Sequence, residues 1–157
     1  MKHFTPENFQ ECTVGLLLGR AALLKDRVLD THLTDEGVTA AQFKVLIIMQ
    51  QFGVDTPAEL SRYLGLDSGS MTRMLDRLEQ KDLIVRERSE GDRRQVRLVL
   101  TADGQRLADR LPHIGADAMN ELVGMLEPTE VAELERILIK VLMSAGDSMT
   151  ALRIGAK

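Results

Sequence analysis

Arg73 and Arg77 stand four residues apart, just after the small residues Ser68-Gly69-Ser70, and this stretch is the part of the chain best equipped for chemistry. A helix there puts Gly69, Ser70, Arg73, Asp76 and Arg77 on one face, opposite Met71, Met74, Leu75 and Leu78. Small side chains in a first turn let a helix end approach the floor of a DNA major groove, where its N–H groups meet a phosphate. A guanidinium fork matches O6 and N7 of guanine, which makes Arg73 the candidate base reader. Arg77 lies farther from the tip and suits a phosphate contact or an ion pair. An ordinary solvated helix face has the same composition, so the neighbouring elements have to decide.

Those neighbours form a pattern. Thr56-Pro57-Ala58-Glu59 reads as a capping box with Pro in the first turn, opening a short helix through Leu60 and Leu64. Gly65 stops it, and Asp67 or Ser68 caps the next helix, which runs to about Lys81. Short helix, glycine turn and longer helix make a helix-turn-helix. The period then changes. Residues 83–88 and 95–100 read as strands, with Val96, Leu98 and Leu100 on one face, joined by the polar loop 89–94. A hairpin with a charged tip directly after a helix-turn-helix is a wing. Asp92, Arg93 and Arg94 at that tip suit insertion into a narrow A·T-rich minor groove, Asp92 steadying an arginine. A polar hairpin turn is the plainer alternative.

Helices flank this unit. One is expected from a Thr5-Pro6-Glu7 cap to about His32, carrying Val14, Leu17, Leu18, Ala21, Leu24, Val28 and Leu29. Thr39-Ala40-Ala41-Gln42 is a capping box for a second, which Gly53 closes. Thr101 caps a helix running toward Met125, and Glu127-Pro128 opens a last one with Val131, Leu134, Ile137, Leu138 and Val141 as its stripe. The first and last helices have no apolar surface on a wing to bury against, which suggests an intertwined dimer. The expected class is mainly α with a short β-hairpin wing. Residues 36–101 form a winged helix-turn-helix, and the N- and C-terminal helices, 1–35 and 102–157, form the dimerisation region.

Composition agrees. The hydrophobic fraction is 44% with no Trp, so the core rests on aliphatic residues and Met, which suits helices. The net charge of −4 hides an uneven distribution: residues 62–97 carry +2, and each flank carries −3. No apolar run approaches the ~20 residues that cross a bilayer, the start lacks a signal region, and the single Cys12 rules out an intrachain disulfide. These features point to the cytosol. Catalysis has no constellation: His3, His32 and His113 are scattered, Cys12 has no neighbouring His, and no glycine-rich phosphate loop is present. Neither a metal nor a cofactor is expected. A winged-helix adaptor that binds protein remains the competing class.

In order and content the chain resembles the multiple-antibiotic-resistance regulator (MarR) family. The residues that carry the likeness are Gly37 to Leu46, Thr56-Pro57-Ala58-Glu59-Leu60, Met71 to Glu79, and Asp92-Arg93-Arg94 leading to Leu98-Val99-Leu100-Thr101. The resemblance implies a homodimer whose two lobes read halves of a palindromic operator in duplex DNA. It also implies repression of efflux, stress or aromatic-compound genes, relieved by a small aromatic carboxylate such as salicylate. It carries DNA contact onto Ser68, Ser70, Thr72, Arg73 and Arg77, and the wing signature onto Asp92 and Arg94. Thr72 and Arg86 match positions that some members use for the ligand; for Arg86, a phosphate contact or a structural ion pair stays equally open. Peroxide-sensing members carry their cysteine where this chain has Gly15, and the tyrosines of those sensors are missing, which favours ligand over thiol sensing.

Overall fold

The structure is a computed structural model that describes residues 3–88 and 96–155. It contains α1 (Val14–His32), α2 (Ala40–Phe52), α3 (Pro57–Leu64), α4 (Ser68–Gln80), β1 (Ile84–Arg88), β2 (Val96–Leu100), α5 (Ala102–Val123), α6 (Pro128–Ser144) and α7 (Ser148–Arg153). Single 3-10 turns occupy Phe9–Glu11 and Thr34–Glu36. The mainly helical class with one hairpin is as expected. No helix among the described residues is long and apolar enough to cross a membrane.

The cap chemistry explains most boundaries. Thr39 and Gln42 form the full reciprocal box: Gln42 N donates to Thr39 Oγ1 at 3.3 Å, and Thr39 N donates to Gln42 Oε1 at 3.2 Å. The box expected at Thr56 is only half made. Glu59 N donates to Thr56 Oγ1 at 3.4 Å, but the Glu59 carboxylate accepts the Thr56 hydroxyl at 2.7 Å instead of reaching the Thr56 N–H. Gly65 ends α3 at φ 63°, and Leu66 N closes back on Ser61 O at 3.0 Å.

Two boundaries differ from expectation. The first helix begins at Val14 and not at the Thr5-Pro6 cap. Asn8 Oδ1 takes the Thr5 N–H at 2.7 Å, and Cys12 turns to extended backbone at ψ 106°, which interrupts any helix between them. At the other end, α7 is an added helix, capped by Asp147, whose Oδ1 accepts Thr150 N at 2.7 Å. Met149 and Leu152 of α7 lie against the core.

The core sits under α4. Leu33, Val45, Leu46, Leu60, Leu75, Leu78 and Ile84 are all fully buried. The wing is a two-stranded antiparallel hairpin pairing Ile84 with Leu100, Arg86 with Leu98 and Arg88 with Val96. Its root is clamped to α5. Thr101 N donates to Leu83 O at 3.1 Å, and a Cβ on Gly104 would stand 1.8 Å from that same oxygen, so only glycine lets α5 approach so closely. The inner strand is also tied to the loop before α3. Leu98 N donates to Asp55 O at 2.7 Å, and Arg97 pairs with the Asp55 carboxylate at 2.8 Å.

Candidate nucleic-acid interface

Helix α4 is fixed at its C-terminal end and on its inner side, and capped at its N-terminus. Met71, Leu75 and Leu78 are buried and Met74 is half-buried, as the stripe required. At the C-terminal end, Lys81 Nζ donates to Gln42 Oε1 at 2.9 Å and to the Gly37 carbonyl. Gln42 is almost wholly buried. The α2 cap thereby doubles as an anchor for α4. The sequence shows the cap but not this second use, because Lys81 lies 39 residues away.

The outer face carries the expected residues. Ser68, Thr72, Arg73 and Arg77 are exposed, and Ser70 is half-buried. Asp67 caps the helix: Oδ1 accepts Ser70 N at 2.9 Å and Oδ2 accepts the Ser70 hydroxyl at 2.6 Å. These two hydrogen bonds hold the exposed Asp67 carboxyl below the usual carboxylate range, with the charge of Arg73 adding to the effect. Arg73 Nη2 donates to Ser70 Oγ at 3.0 Å. Thr72 turns its hydroxyl back onto Ser68 O at 2.8 Å. Among the described residues neither Arg73 nor Arg77 joins an ion pair. The wing-tip residues Asp92, Arg93 and Arg94 lie outside the described residues.

Arg86 has a different setting. In the hairpin register it faces the same way as Ile84, toward α4. Its Nη1 pairs with Glu79 Oε2 at 2.5 Å, its Nη2 with Asp76 Oδ1 at 2.7 Å, and its N–H donates to Glu79 Oε1 at 3.3 Å. Two carboxylates surround one guanidinium, so the cluster is negative by one charge. Of the roles open to Arg86, the geometry displays the ion pair, which ties the wing to α4. Asp76 belongs to this cluster and not to the outward face.

One concave region was not apparent from the sequence. A cavity of about 500 Å³ opens among α1, α2, α5 and α7, lined by Leu29, Phe43, Ile47, Phe52, Met119 and Met149. Such a volume suits a small organic ligand. Pro112 and Gly115 of α5 form part of its wall, and a Cβ on Gly115 would come within 3.1 Å of the Phe43 ring. Lys25, Lys44 and Arg153 also line it. Lys25 and Lys44 share a single carboxylate, Asp26, at 2.9 and 3.0 Å, while Arg153 donates to the neutral Gln51 at 2.8 Å. Burial pushes the Asp26 carboxyl up, but the two lysines outweigh it and hold it below the usual range. This group is positive by two charges.

A helix-turn-helix with a hairpin wing and a capped, cation-bearing second helix defines a winged-helix protein of the DNA-binding type. The model described as "MarR family" matches residues 38–96. The multiple antibiotic resistance protein MarR of Salmonella typhimurium strain LT2 is 40% identical over 130 residues, covering 82% of this chain and 90% of that protein. This chain belongs to the MarR family. Its fold matches the crystal structure of a cysteine-to-serine mutant of MarR from E. coli complexed with operator DNA. There the TM-score is 0.78 at 37% identity, covering 88% of this chain and 99% of the other. It also matches a Mycobacterium tuberculosis MarR family protein in complex with p-aminosalicylic acid, with a TM-score of 0.67 at 26% identity, covering 83% and 98%.

Proposed function

We propose that this chain is a homodimeric, cytoplasmic repressor without enzymatic activity, which binds a palindromic operator and is released by a small aromatic carboxylate. The carrying observation is α4: its inner stripe is buried, its N-terminus is capped by Asp67, its C-terminal end is anchored through Lys81, and its outer face presents Ser68, Thr72, Arg73 and Arg77. The likeness to a MarR solved on operator DNA supports placing that face in the major groove. Arg73 reads a base there and Arg77 a phosphate. Asp92, Arg93 and Arg94 carry the wing into the adjacent minor groove. Residues 36–101 make the DNA-binding lobe, and 1–35 with 102–157 the dimerisation region. The exposed apolar side chains of α1 and α6, such as Leu17, Leu24, Ile137 and Val141, favour burial against a second copy. A dimer then sets its two α4 helices about 34 Å apart, one DNA turn.

The ligand has two seats to choose between. At Thr72 and Arg86 an incoming carboxylate competes with Asp76 and Glu79 for the guanidinium. The cavity among α1, α2, α5 and α7 combines an apolar wall with two surplus positive charges, and we place the ligand there. A ligand wedged between α1 and α5 on one side and α2 on the other changes how the lobe sits on the dimer helices, and so the spacing of the two α4 helices.

Fluorescence anisotropy tests both parts, using a duplex from the DNA upstream of the chain's own gene, a salt series, and salicylate. The expected result is tight binding that weakens steeply with salt and is relieved by salicylate. Lys44→Ala should blunt the relief, and Arg86→Ala should leave it intact. The opposite pattern returns the ligand to Thr72 and Arg86. Absence of specific binding at low salt rejects the repressor and favours the protein adaptor.

A further inference from the structure

Asp67 stands at the tip of a helix assigned to the groove of a polyanion, where charge alone argues against an acidic side chain. Its two carboxylate oxygens are both engaged by Ser70, one by the backbone N–H at 2.9 Å and one by the hydroxyl at 2.6 Å. A serine hydroxyl has one proton to donate. With that proton directed to Asp67, Ser70 Oγ presents only lone pairs outward, and Arg73 Nη2 donates to it at 3.0 Å. Gly69 leaves room for this arrangement: a Cβ there would stand 3.2 Å from Asp67 Oδ1 and 3.5 Å from Arg73 Nη1.

Residues 67, 70 and 73 thus form one hydrogen-bonded line along the helix face, from a fixed anion through a hydroxyl to a guanidinium. We propose that Asp67 and Ser70 are positioning residues that hold the Arg73 guanidinium in its base-reading orientation, so that sequence discrimination depends on a relay and not on Arg73 alone. The proposal rests on the reading of Arg73 as the base reader. An arginine on an exposed helix face samples many rotamers, and freezing them at the moment of binding opposes affinity. An arginine held beforehand loses less, and it is held in one direction, which penalises a base pair whose acceptors lie elsewhere. Asp67 suits this role because its carboxylate accepts from both the N–H and the hydroxyl of Ser70, which fixes the direction of the Ser70 proton. Ser70, in turn, acts on the DNA through Arg73 and not by its own donor.

A double-mutant cycle tests the relay. The probes are the tightest duplex that the wild-type protein selects from a randomised pool, and its single base-pair variants. The readout is the ratio of their dissociation constants. Arg73→Ala should lower discrimination at one base pair by about 5- to 150-fold. Ser70→Ala keeps the cap, since Asp67 still accepts the backbone N–H, and it should lower discrimination at that same base pair by about two- to tenfold. In the Arg73→Ala background Ser70→Ala should do nothing further. With Arg73 present, Ser70→Thr, which keeps a hydroxyl, should retain the wild-type ratio. An undiminished loss from Ser70→Ala in the Arg73→Ala background means that Ser70 reads DNA directly and overturns the relay. So does a Ser70→Ala protein with unchanged discrimination. Unchanged discrimination in Arg73→Ala itself refutes Arg73 as base reader, a failure of the underlying reading that the other two outcomes do not produce.

Discussion

Helices α4 and α6 carry the same apolar pattern and meet opposite fates. In α4, Met71, Leu75 and Leu78 are exposed by 1%, 1% and 0%; in α6, Leu134, Ile137 and Val141 are exposed by 42%, 45% and 52%. Both stripes follow helical spacing, so the difference does not lie in the pattern. It lies in what the rest of the chain offers. Around α4 the chain supplies α3, the root of the wing and, through Lys81, the start of α2. Around α6 it supplies the six-residue α7. Periodicity states that a face is to be buried; it does not state by what.

The largest expected effect sharpens this contrast. Leu75→Ala should destabilise the fold by about 2–5 kcal/mol, the range for emptying a packed leucine site, read by thermal or denaturant unfolding. Ile137→Ala, judged on the single chain, removes a half-exposed side chain and should change stability by less than about 0.5 kcal/mol. If instead its cost grows to rival that of Leu75→Ala and depends on protein concentration, a second copy covers α6. Ile137→Glu should then yield a monomer by sedimentation while the lobe still melts cooperatively. A monomer engages one half-site only, and operator affinity should fall by about 10²- to 10⁴-fold.

Next in size is Gly104→Ala. It forces a methyl into the space of the Leu83 carbonyl, which accepts the Thr101 N–H, so α5 or the wing root has to shift. A loss of about 1–3 kcal/mol is expected. Arg86→Ala should be milder, about 1 kcal/mol or less, because Arg86 and its two partners are all partly exposed. Its signature should be local: faster hydrogen exchange in β1 with little change in α2. Slowed or unaltered exchange would contradict the role of Arg86 in tying the wing to α4.

What the sequence reveals follows the same division. Contacts three or four residues apart are legible, because the helix itself brings the partners together. Thr39 with Gln42, Asp67 with Ser70 and Thr101 with Gly104 are of this kind. Contacts made by folding are not. Nothing local links Lys81 to Gln42, or Arg86 to Asp76 across the turn into β1. The cavity is assembled from α1, α2, α5 and α7, and none of its lining residues stands out in its own segment. The short α7 was missed because Met149 and Leu152 alone make too little pattern. The Thr5-Pro6 cap misled for the converse reason: the local signal is present, but Asn8 and Cys12 divert the backbone.

The smallest effect separates α4 from α6 by the origin of a depressed carboxyl. Asp67 is held low by its hydrogen bonds to the Ser70 hydroxyl and N–H, and Glu133 by its hydrogen bond and charge pairing with Arg136 one turn along α6. In each case the folded value lies below the unfolded one. The contribution to stability is therefore present above the unfolded pKa, about 4 for either group, and is lost as pH falls through the folded value. The two should respond differently to salt. Exposed ion pairs are screened within about 3 Å at 1 M ionic strength, whereas the Asp67 cap is made to neutral donors of its own helix. Titrating the side-chain carboxyl signals by NMR at low and at 1 M salt should leave Asp67 depressed and return Glu133 part of the way to its ordinary value, since salt weakens the charge pairing with Arg136 more than the hydrogen bonds at 2.7 Å. Equal relaxation of both would mean that Asp67 is held by the charge of Arg73 rather than by Ser70, and the line from Asp67 to Arg73 would lose its middle member.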